Sequence, residues 1–410
     1  MKLCPWPLVA LLFLTASASY LCRTNISVVG ALMMRDLGLS QIEMGALFSA
    51  FVLGYALFQV PAGLVADRWG ARKVLGWSAF CWVVVTGCMA ALGLGILGSA
   101  SISALTILLV LRFVLGVGEA PTFPAAAQGV SQWVPSSGLG FANGFVLAAI
   151  GAGSATAPVL LSRVMVLWGW RVALLTSAVP AMAVALVWKS VPEPRGSSVS
   201  LVPTLSPRKD GRRLWSLSFV LLTISYTLEG YVSYIFVFWF YLYLVQVRHF
   251  NLLQAGNLSS LPWLLSMVSI PSGGFISDRL VKGALGRRWG RRAIPMTGLT
   301  LSGVFLALGA ETRSAPFAVG YLTLATALVL CVEGPFWATM LELAGPRSGT
   351  AGGVMNFGSN IGGLISPALT PILAAHLGWE NALYVGAGSA IVGAALWLGI
   401  SPHALSESQS

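Results

Sequence analysis

Runs of apolar residues, each about 20 residues long, recur along the chain and are separated by short polar breaks. A helix of that length crosses the hydrocarbon core of a bilayer, and no soluble domain combines 56% hydrophobic with only 9% charged residues over 410 positions. The pattern therefore predicts an all-α membrane protein with roughly twelve transmembrane helices. The beginning of the chain imitates a secretory signal, but its apolar character continues to Met33, so we interpret it as the first span.

The distribution of positive charge predicts the orientation of the chain. A net charge of +11 could suggest a nucleic-acid partner. However, most Lys and Arg residues fall in alternate polar breaks, such as those around Arg72, Arg212 and Arg288. By the positive-inside rule, these breaks and both termini are cytoplasmic. We therefore expect a multi-pass protein of the plasma membrane (the inner membrane in bacteria), in contact with the lipid bilayer and not with nucleic acid.

Three charged residues lie deep inside predicted spans: Arg23 in the first, and Arg112 and Glu119 in the fourth. Arg112 and Glu119 are nearly two helical turns apart, so they share one face and lie roughly 10 Å from each other along the axis. Exposing such a charge to lipid costs about a few kcal/mol, so all three should face protein or a watery cavity. Because Arg binds carboxylates bidentately, a cavity with two Arg residues predicts a small organic anion as substrate.

Short motifs occur twice, in the same order, in the two halves of the chain. The G-x-x-x-D-R motif that begins at Gly63 returns at Gly274, and the Glu-x-Pro motif that begins at Glu119 returns at Glu333. This duplication predicts two pseudo-symmetric six-helix bundles, and transporter sites commonly lie between such repeats near the midplane. The predicted division is an N-terminal bundle over 1–190, a polar cytoplasmic linker over 191–213, a C-terminal bundle over 214–401 and a cytoplasmic tail over 402–410.

The first copy of the repeated loop carries specific expectations. We expect Gly63 to permit close helix contact, Asp67 to pair with Arg72 or with a helix N-terminus, and Gly70 to allow a tight turn. The string G-x-x-x-D-R-x-G-x-R-K from Gly63 to Lys73 resembles the conserved loop between the second and third helices of the major facilitator superfamily. The predicted gating residues in the two copies of the loop are Gly63, Asp67, Arg68, Arg72, Asp278 and Arg279.

Within that superfamily, the chain more closely resembles the anion:cation symporter family over nearly its whole length. That family includes bacterial sugar-acid carriers and the animal vesicular glutamate, sialic acid and phosphate carriers. The matching strings are Tyr20-x-x-Arg23-x-Asn25-x-Ser27, Gly54-Tyr55-Ala-Leu-Phe-Gln59-Val-Pro61-Ala-Gly63, Arg112-Phe-x-x-Gly116-x-x-Glu119-Ala-Pro121-x-Phe-Pro124 and Asn356-x-x-x-Asn360-x-Gly362-Gly363.

The resemblance implies a secondary active transporter that moves a small organic anion, such as a sugar acid, by alternating access. It implies that Arg23 and Arg112 face the central cavity and hold a substrate carboxylate, while Tyr20 and Tyr55 add hydrogen bonds. Tyr and Asn groups at helical spacing also suit a hydroxylated small molecule. The predicted substrate-binding residues are Arg23, Arg112, Tyr20, Tyr55, Tyr234, Asn356 and Asn360.

Protons are the expected coupling ion, and the resemblance implies that Glu119 carries one. Many bacterial members have an Asp immediately before the Arg of the first helix, whereas this chain has Cys22, and a thiol cannot replace a proton-carrying carboxylate near neutral pH. Our hypothesis is that Glu119 carries the proton alone or together with Glu229 or Glu333, with Glu119 and Glu229 as the predicted proton-coupling residues. The alternative for Glu119 is a static salt bridge to Arg112 or Arg23.

Other classes of function fit the sequence less well. His249, His376 and His403 are scattered, and no catalytic constellation, phosphate-binding Gly loop or metal cluster is recognisable, so we expect neither an enzyme nor a cofactor or metal. A cation or drug exporter of the same fold typically has G-x-x-x-G-P in its fifth helix, and the residues before Pro158 lack that Gly. A transporter-like sensor is a further alternative. The sequence leaves open which anion is moved and whether movement is symport, exchange or facilitated diffusion; we expect a monomer.

Overall fold

The computed structural model describes residues 5–92, 103–135, 138–192 and 216–401. Every regular element in these ranges is a helix, and they contain no strand. An apolar chain in lipid has no water to satisfy its backbone groups, and a helix satisfies them within the segment itself. The predicted tail over 402–410 and nearly all of the predicted linker over 191–213 lie outside the described residues.

The chain divides into two compact units. The first, which we call the N-terminal unit, comprises Met1–Val202 together with Phe240–Ser260, and the second, the C-terminal unit, comprises Pro203–Trp239 and Leu261–Ser410. This division differs from the predicted one in assigning residues 240–260 to the first unit, and the predicted domain boundaries stay predictions. The helices of the N-terminal unit are α1 (Pro5–Leu37), α2 (Gln41–Ala91), α3 (Ala104–Glu119), α4 (Thr122–Trp133), α5 (Leu139–Ser190), α7 (Phe240–Gln246) and the first part of α8 (Leu252–Lys282).

Two of these helices are each interrupted by a glycine in a non-helical conformation. Gly70 in α2 has φ 79° and ψ 153°, and Gly169 in α5 has φ 80° and ψ 171°. Glycine adopts such positive φ values without the steric cost that a Cβ imposes, which confirms the tight turn expected at Gly70. With 51 and 52 residues, α2 and α5 are long enough for two spans each.

Eight continuous helical stretches among the described residues are long and apolar enough to cross a membrane. Two of these stretches are the interrupted helices α2 and α5, and each of these is long enough for two spans. The number of membrane crossings is therefore larger than the number of continuous stretches. The all-α membrane fold is confirmed, and the total of twelve spans stays a prediction.

The C-terminal unit contains the remaining helices, and α6 lies at its centre against α12. Glycines allow this close approach, because a Cβ at Gly230 would overlap the backbone of Ser359 and a Cβ at Gly362 would overlap the backbone of Thr227. Small residues at a helix interface let two backbones come together in a membrane. The helices of this unit are α6 (Leu217–Phe238), the rest of α8, α9 (Gly286–Glu311), α10 (Ala315–Leu330), α11 (Glu333–Ala344), α12 (Ser348–Leu377) and α13 (Trp379–Leu396), with a 3₁₀ turn over Gly345–Arg347.

We expect Gly362→Ala to destabilise the C-terminal unit by about 1–3 kcal/mol, because the added methyl group forces α6 and α12 apart. Gly353→Ala in the same helix is the matched control, since nothing lies within 4 Å of a Cβ at that position. The control should be neutral or slightly stabilising. Thermal unfolding of the purified variants in detergent measures both, and equal melting temperatures would contradict the close approach.

Both copies of the repeated Glu-x-Pro motif lie where a span is broken. Glu119 is the last residue of α3, and α4 begins at Thr122 after Pro121. Glu333 is the first residue of α11, which follows the end of α10 at Leu330. Proline has no backbone N–H to continue a helix, so the motif separates the two helical segments. The sequence repeat is therefore also a structural repeat.

Candidate functional site

An ion pair between α1 and α3 forms the centre of the candidate site. The Nε of Arg23 donates to Oε2 of Glu119 at 3.1 Å, and the Ser19 hydroxyl donates to the same oxygen at 2.9 Å. Ser19 and Arg23 are four residues apart in α1, so both side chains emerge on one helix face. Arg23 is 3% exposed and Glu119 is 0% exposed. The pair is therefore enclosed by protein.

Arg112 adds a second positive charge to this group. Its Nη2 donates to the backbone oxygen of Arg23 at 3.3 Å, and its guanidinium carbon lies 4.7 Å from the centroid of the Phe51 ring. The Nε and Nη1 atoms of Arg112 are buried without a hydrogen-bond partner among the described residues. A buried charge is costly unless it is paired and hydrogen-bonded. Two guanidinium groups and one carboxylate thus leave one positive charge uncompensated.

Two tyrosines flank the guanidinium of Arg23. Its carbon lies 4.4 Å from the ring centroid of Tyr20 and 4.5 Å from that of Tyr55, and its Nη1 donates to the Tyr20 hydroxyl at 3.3 Å. Cations are attracted to the face of an aromatic ring, so the rings hold the arginine in place. We call the set of Tyr20, Arg23, Tyr55, Arg112 and Glu119 the arginine cluster.

All five members of the arginine cluster were predicted site residues, and all lie in the N-terminal unit. Its three charged side chains are buried in protein. Two residues that contact the cluster, Ser19 and Phe51, were not predicted from the sequence. The helical spacing held the signal, because Ser19 precedes Arg23 by four residues and Phe51 precedes Tyr55 by four. Cys22 supplies no carboxylate: its thiol donates to the backbone oxygen of Ser177 at 3.5 Å.

The other predicted substrate-binding residues form a second group, inside the C-terminal unit. The Tyr234 hydroxyl donates to Oδ1 of Asn360 at 3.4 Å, and Nδ2 of Asn360 donates to the backbone oxygen of Asn356 at 2.9 Å. Gly363 packs against the ring of Tyr234. These groups offer neutral hydrogen-bonding capacity and no charge.

Two carboxylates lie on α6 and α11 in the same unit. The Trp337 indole donates to the Tyr226 hydroxyl at 3.3 Å, and that hydroxyl donates to Oε2 of Glu333 at 2.8 Å. Glu229 accepts from the Ser233 hydroxyl at 2.5 Å and is 2% exposed. The sequence had pointed to both carboxylates. It did not identify Tyr226 and Trp337, although Tyr226 precedes Glu229 by three residues and Trp337 follows Glu333 by four.

The repeated loop of the N-terminal unit differs from expectation in two respects. Nothing lies within 4 Å of a Cβ at Gly63, so the expected close helix contact at this glycine is wrong for the described conformation. Arg72 does not form the expected ion pair with Asp67 in the described part of the chain. Instead it donates to the backbone oxygens of Trp188 and Lys189 at 3.2 and 2.7 Å, where a helix C-terminus offers unsatisfied carbonyl groups. Asp67 and Arg68 are exposed.

The second copy of the loop contains a charge network. Arg291 donates to Asp278 at 2.6 Å and to Glu342 at 2.9 Å, and Arg287 donates to Glu342 at 3.2 Å. The guanidinium of Arg279 lies over the ring of Phe275 at 4.4 Å. Of the two predicted gating residues in this copy, only Asp278 therefore takes part in the network.

Two repeat-related bundles of span-length helices, with charged groups buried inside them, define a polytopic membrane transporter rather than an enzyme. The chain matches the Major Facilitator Superfamily over residues 12–283 and 280–410, and it belongs to that superfamily.

Several named relatives align with almost the whole chain. A probable sulfoacetate transporter of Cupriavidus necator is 31% identical over 94% of this chain and 91% of its own length. A hexuronate transporter of Bacillus subtilis is 26% identical over 95% of this chain and 93% of its own length. A probable galactarate/D-glucarate transporter of the same organism is 28% identical over 95% of this chain and 90% of its own length.

A solved structure supports the fold. The bacterial homologue of the human lysosomal transporter Spinster, in an inward-facing and occupied conformation, superposes with a TM-score of 0.78 over 96% of each chain. Its sequence identity is 17%, so this likeness bears on the fold alone.

Proposed function

We propose that this protein is a proton-coupled symporter that carries a small organic anion, of the sugar-acid type, by alternating access. The observation that carries the proposal is the uncompensated positive charge of the arginine cluster. Arg112 has two buried nitrogens, Nε and Nη1, without a partner among the described residues, and a substrate carboxylate would supply an acceptor for this guanidinium. Because Arg112 is 0% exposed, the substrate would reach it in a conformation in which the cluster is open.

The names of the relatives support an organic acid as substrate. Sulfoacetate, hexuronates, galactarate and glucarate are small molecules with at least one carboxylate. The sugar acids among them also carry hydroxyl groups, for which Tyr234, Asn356 and Asn360 offer donors and acceptors. In this proposal the arginines, with Tyr20 and Tyr55, hold the charged end of the substrate.

Proton coupling and gating complete the proposal. Glu119 and Glu229 are the proposed proton carriers, since both are buried carboxylates in a superfamily of secondary transporters. The loops with Gly63, Asp67, Arg68, Arg72, Asp278 and Arg279 would change their contacts as access alternates. We further propose a monomer in the bacterial inner membrane with both termini in the cytoplasm, as the positive-inside rule predicts.

A ligand panel followed by uptake tests this function. Purified protein is first screened by thermal shift against sulfoacetate, glucuronate, galactarate and galactonate, with tetraphenylphosphonium as the cationic counter-example. Any stabilising acid is then offered, radiolabelled, to proteoliposomes with and without an inward proton gradient. We expect stabilisation by at least one acid and accumulation only with the gradient. Movement of the cation would favour an exporter, and acid binding without any flux would favour a sensor; either result overturns the proposal.

A further inference from the structure

The arginines in the first two turns of α9 lie on two faces of the helix. Arg287 and Arg291 share one face, and both pair with Glu342, at 3.2 and 2.9 Å. Arg288 and Arg292 share another face, and neither forms an ion pair among the described residues. Residues four apart are neighbours on a helix surface, and like charges at this spacing repel each other. One face is therefore neutralised by an acidic residue, and the other carries two uncompensated positive charges.

Arg292 is buried although no acidic residue neutralises it. The residue is 2% exposed, and its Nε donates to the backbone oxygen of Ile400 at 2.7 Å, just beyond the end of α13. Its Nη2 is buried and has no hydrogen-bond partner in the part of the chain that the structure describes. In the first repeat, Arg72 binds the end of α5 in the same manner but uses both Nε and Nη2, each on a backbone oxygen. Because an unsatisfied buried donor is costly, Arg292 has room for an acceptor that Arg72 already has.

The position of these arginines at the start of α9 adds a preference for an anion. The helix begins at Gly286, its first turn contains no acidic residue, and no side chain caps its N-terminus. The N-terminal end of a helix carries a partial positive charge, so cationic side chains are unfavourable there and a bound anion is favourable. A helix end alone does not define a site. Here it coincides with a buried guanidinium that lacks an acceptor.

Two large apolar side chains share the face of Arg288 and Arg292. Leu285 and Trp289 lie on it because positions 285, 288, 289 and 292 follow the spacing i, i+3, i+4 and i+7 of one helix face. Leu285 is 47% exposed and Trp289 is 48% exposed, and the Trp289 ring centroid lies 5.4 Å from the guanidinium carbon of Arg292. Tryptophan is enriched where a membrane protein meets the boundary between lipid headgroups and acyl chains. A face with both positive charge and exposed apolar side chains matches a ligand that has an anionic head and apolar chains.

We propose that Leu285, Arg288, Trp289 and Arg292 form a binding site for the headgroup of an anionic phospholipid in the cytoplasmic leaflet. The phosphate would accept hydrogen bonds from Arg288 and from the indole N–H of Trp289, with the charge of Arg292 behind them, while Leu285 contacts the acyl chains. Basic pockets at the cytoplasmic ends of membrane helices bind such headgroups. This lipid site is independent of the transported substrate and rests only on the proposed orientation, in which the start of α9 lies on the cytoplasmic side.

The test measures lipid binding to the delipidated full-length protein in detergent by native mass spectrometry. Phosphatidylglycerol is compared with phosphatidylcholine, which has the same phosphate but no net charge, and with inorganic phosphate as a competitor. The variant is Arg288→Gln, since Arg288 is exposed and its loss leaves the bond between Arg292 and Ile400 in place. The matched control is Arg287→Gln, which makes the same change of charge on the neutralised face. We expect the wild type to prefer phosphatidylglycerol, Arg288→Gln to bind it about fivefold more weakly, and the control to bind it as the wild type does.

Several outcomes would overturn the lipid site. Equal affinity of the wild type for the two lipids, or equal affinity of Arg288→Gln and Arg287→Gln for phosphatidylglycerol, would show that this face does not select an anionic headgroup. Displacement of phosphatidylglycerol by inorganic phosphate would indicate a site for a free anion instead. A preference that appears only in Glu407→Gln would mean that a carboxylate of the chain beyond Ser401 occupies the face. Because none of these measurements involves transport, a failed ligand panel would refute the proposed function and leave the lipid site standing.

Discussion

We expect Arg112→Met to abolish binding of the organic acid while leaving the fold at least as stable as the wild type. Methionine replaces the buried guanidinium by an apolar chain of similar length, and the remaining Arg23–Glu119 pair is balanced in charge. Removing a partner of a buried, hydrogen-bonded charge pair costs about 2–5 kcal/mol of binding, or roughly thirtyfold to several thousandfold in affinity. The unpartnered nitrogens of Arg112 mean that little stability is lost with them.

Thermal unfolding and acid binding, measured on the same preparation, separate these two effects. The control is Arg171→Met. Arg171 pairs with Asp36 at 3.3 Å, and its side chain is partly exposed. Such a peripheral pair contributes about 0–1 kcal/mol, so the control should be slightly less stable and bind the acid normally. A marked loss of stability in Arg112→Met would mean that its charge has a stabilising partner. Unchanged binding would mean that the substrate does not meet this arginine.

The composition of the arginine cluster could be predicted from sequence because burying charge in lipid is so unfavourable. Residues such as Arg23 and Glu119 stand out within apolar runs, and they had to face protein. Which charges pair could not be predicted. Arg112 and Glu119 share a helix face, but their separation along the axis is too large for an ion pair. The partner of Glu119 is therefore on another helix, α1. The rotation of α1 relative to α3, which brings Arg23 to Glu119, could not be predicted from the sequence.

The expected close helix contact at Gly63 and the expected ion pair between Asp67 and Arg72 failed for a related reason. A sequence motif shows which residue types occur at which spacing. The contacts that a loop makes depend also on the conformation of the protein. In this conformation Arg72 binds the carbonyl groups at the end of α5 instead of Asp67. Gly70 was predictable because its positive φ is a local property of the backbone.

The second large effect is expected at Glu119. Glu119→Gln removes the only carboxylate of the arginine cluster and leaves Arg23 and Arg112 as two buried positive charges. Breaking a buried ion pair by removing one partner destabilises a protein by about 3–5 kcal/mol, and here the like charges of the two arginines add to that cost. We therefore expect Glu119→Gln to have the lowest melting temperature of the variants in the cluster and to bind the acid weakly in consequence.

The double variant Glu119→Gln/Arg112→Met tests whether charge balance is the cause. It returns the cluster to one uncompensated positive charge, the same excess as in the wild type, so most of the lost stability should be recovered. Additive effects of the two changes would instead show that the cluster is not coupled. If Glu119→Gln alone is as stable as the wild type, Glu119 is already protonated in the folded protein. That result would favour Glu119 as a proton carrier, because a carboxyl group that is neutral beside two arginines can release its proton when the anion leaves.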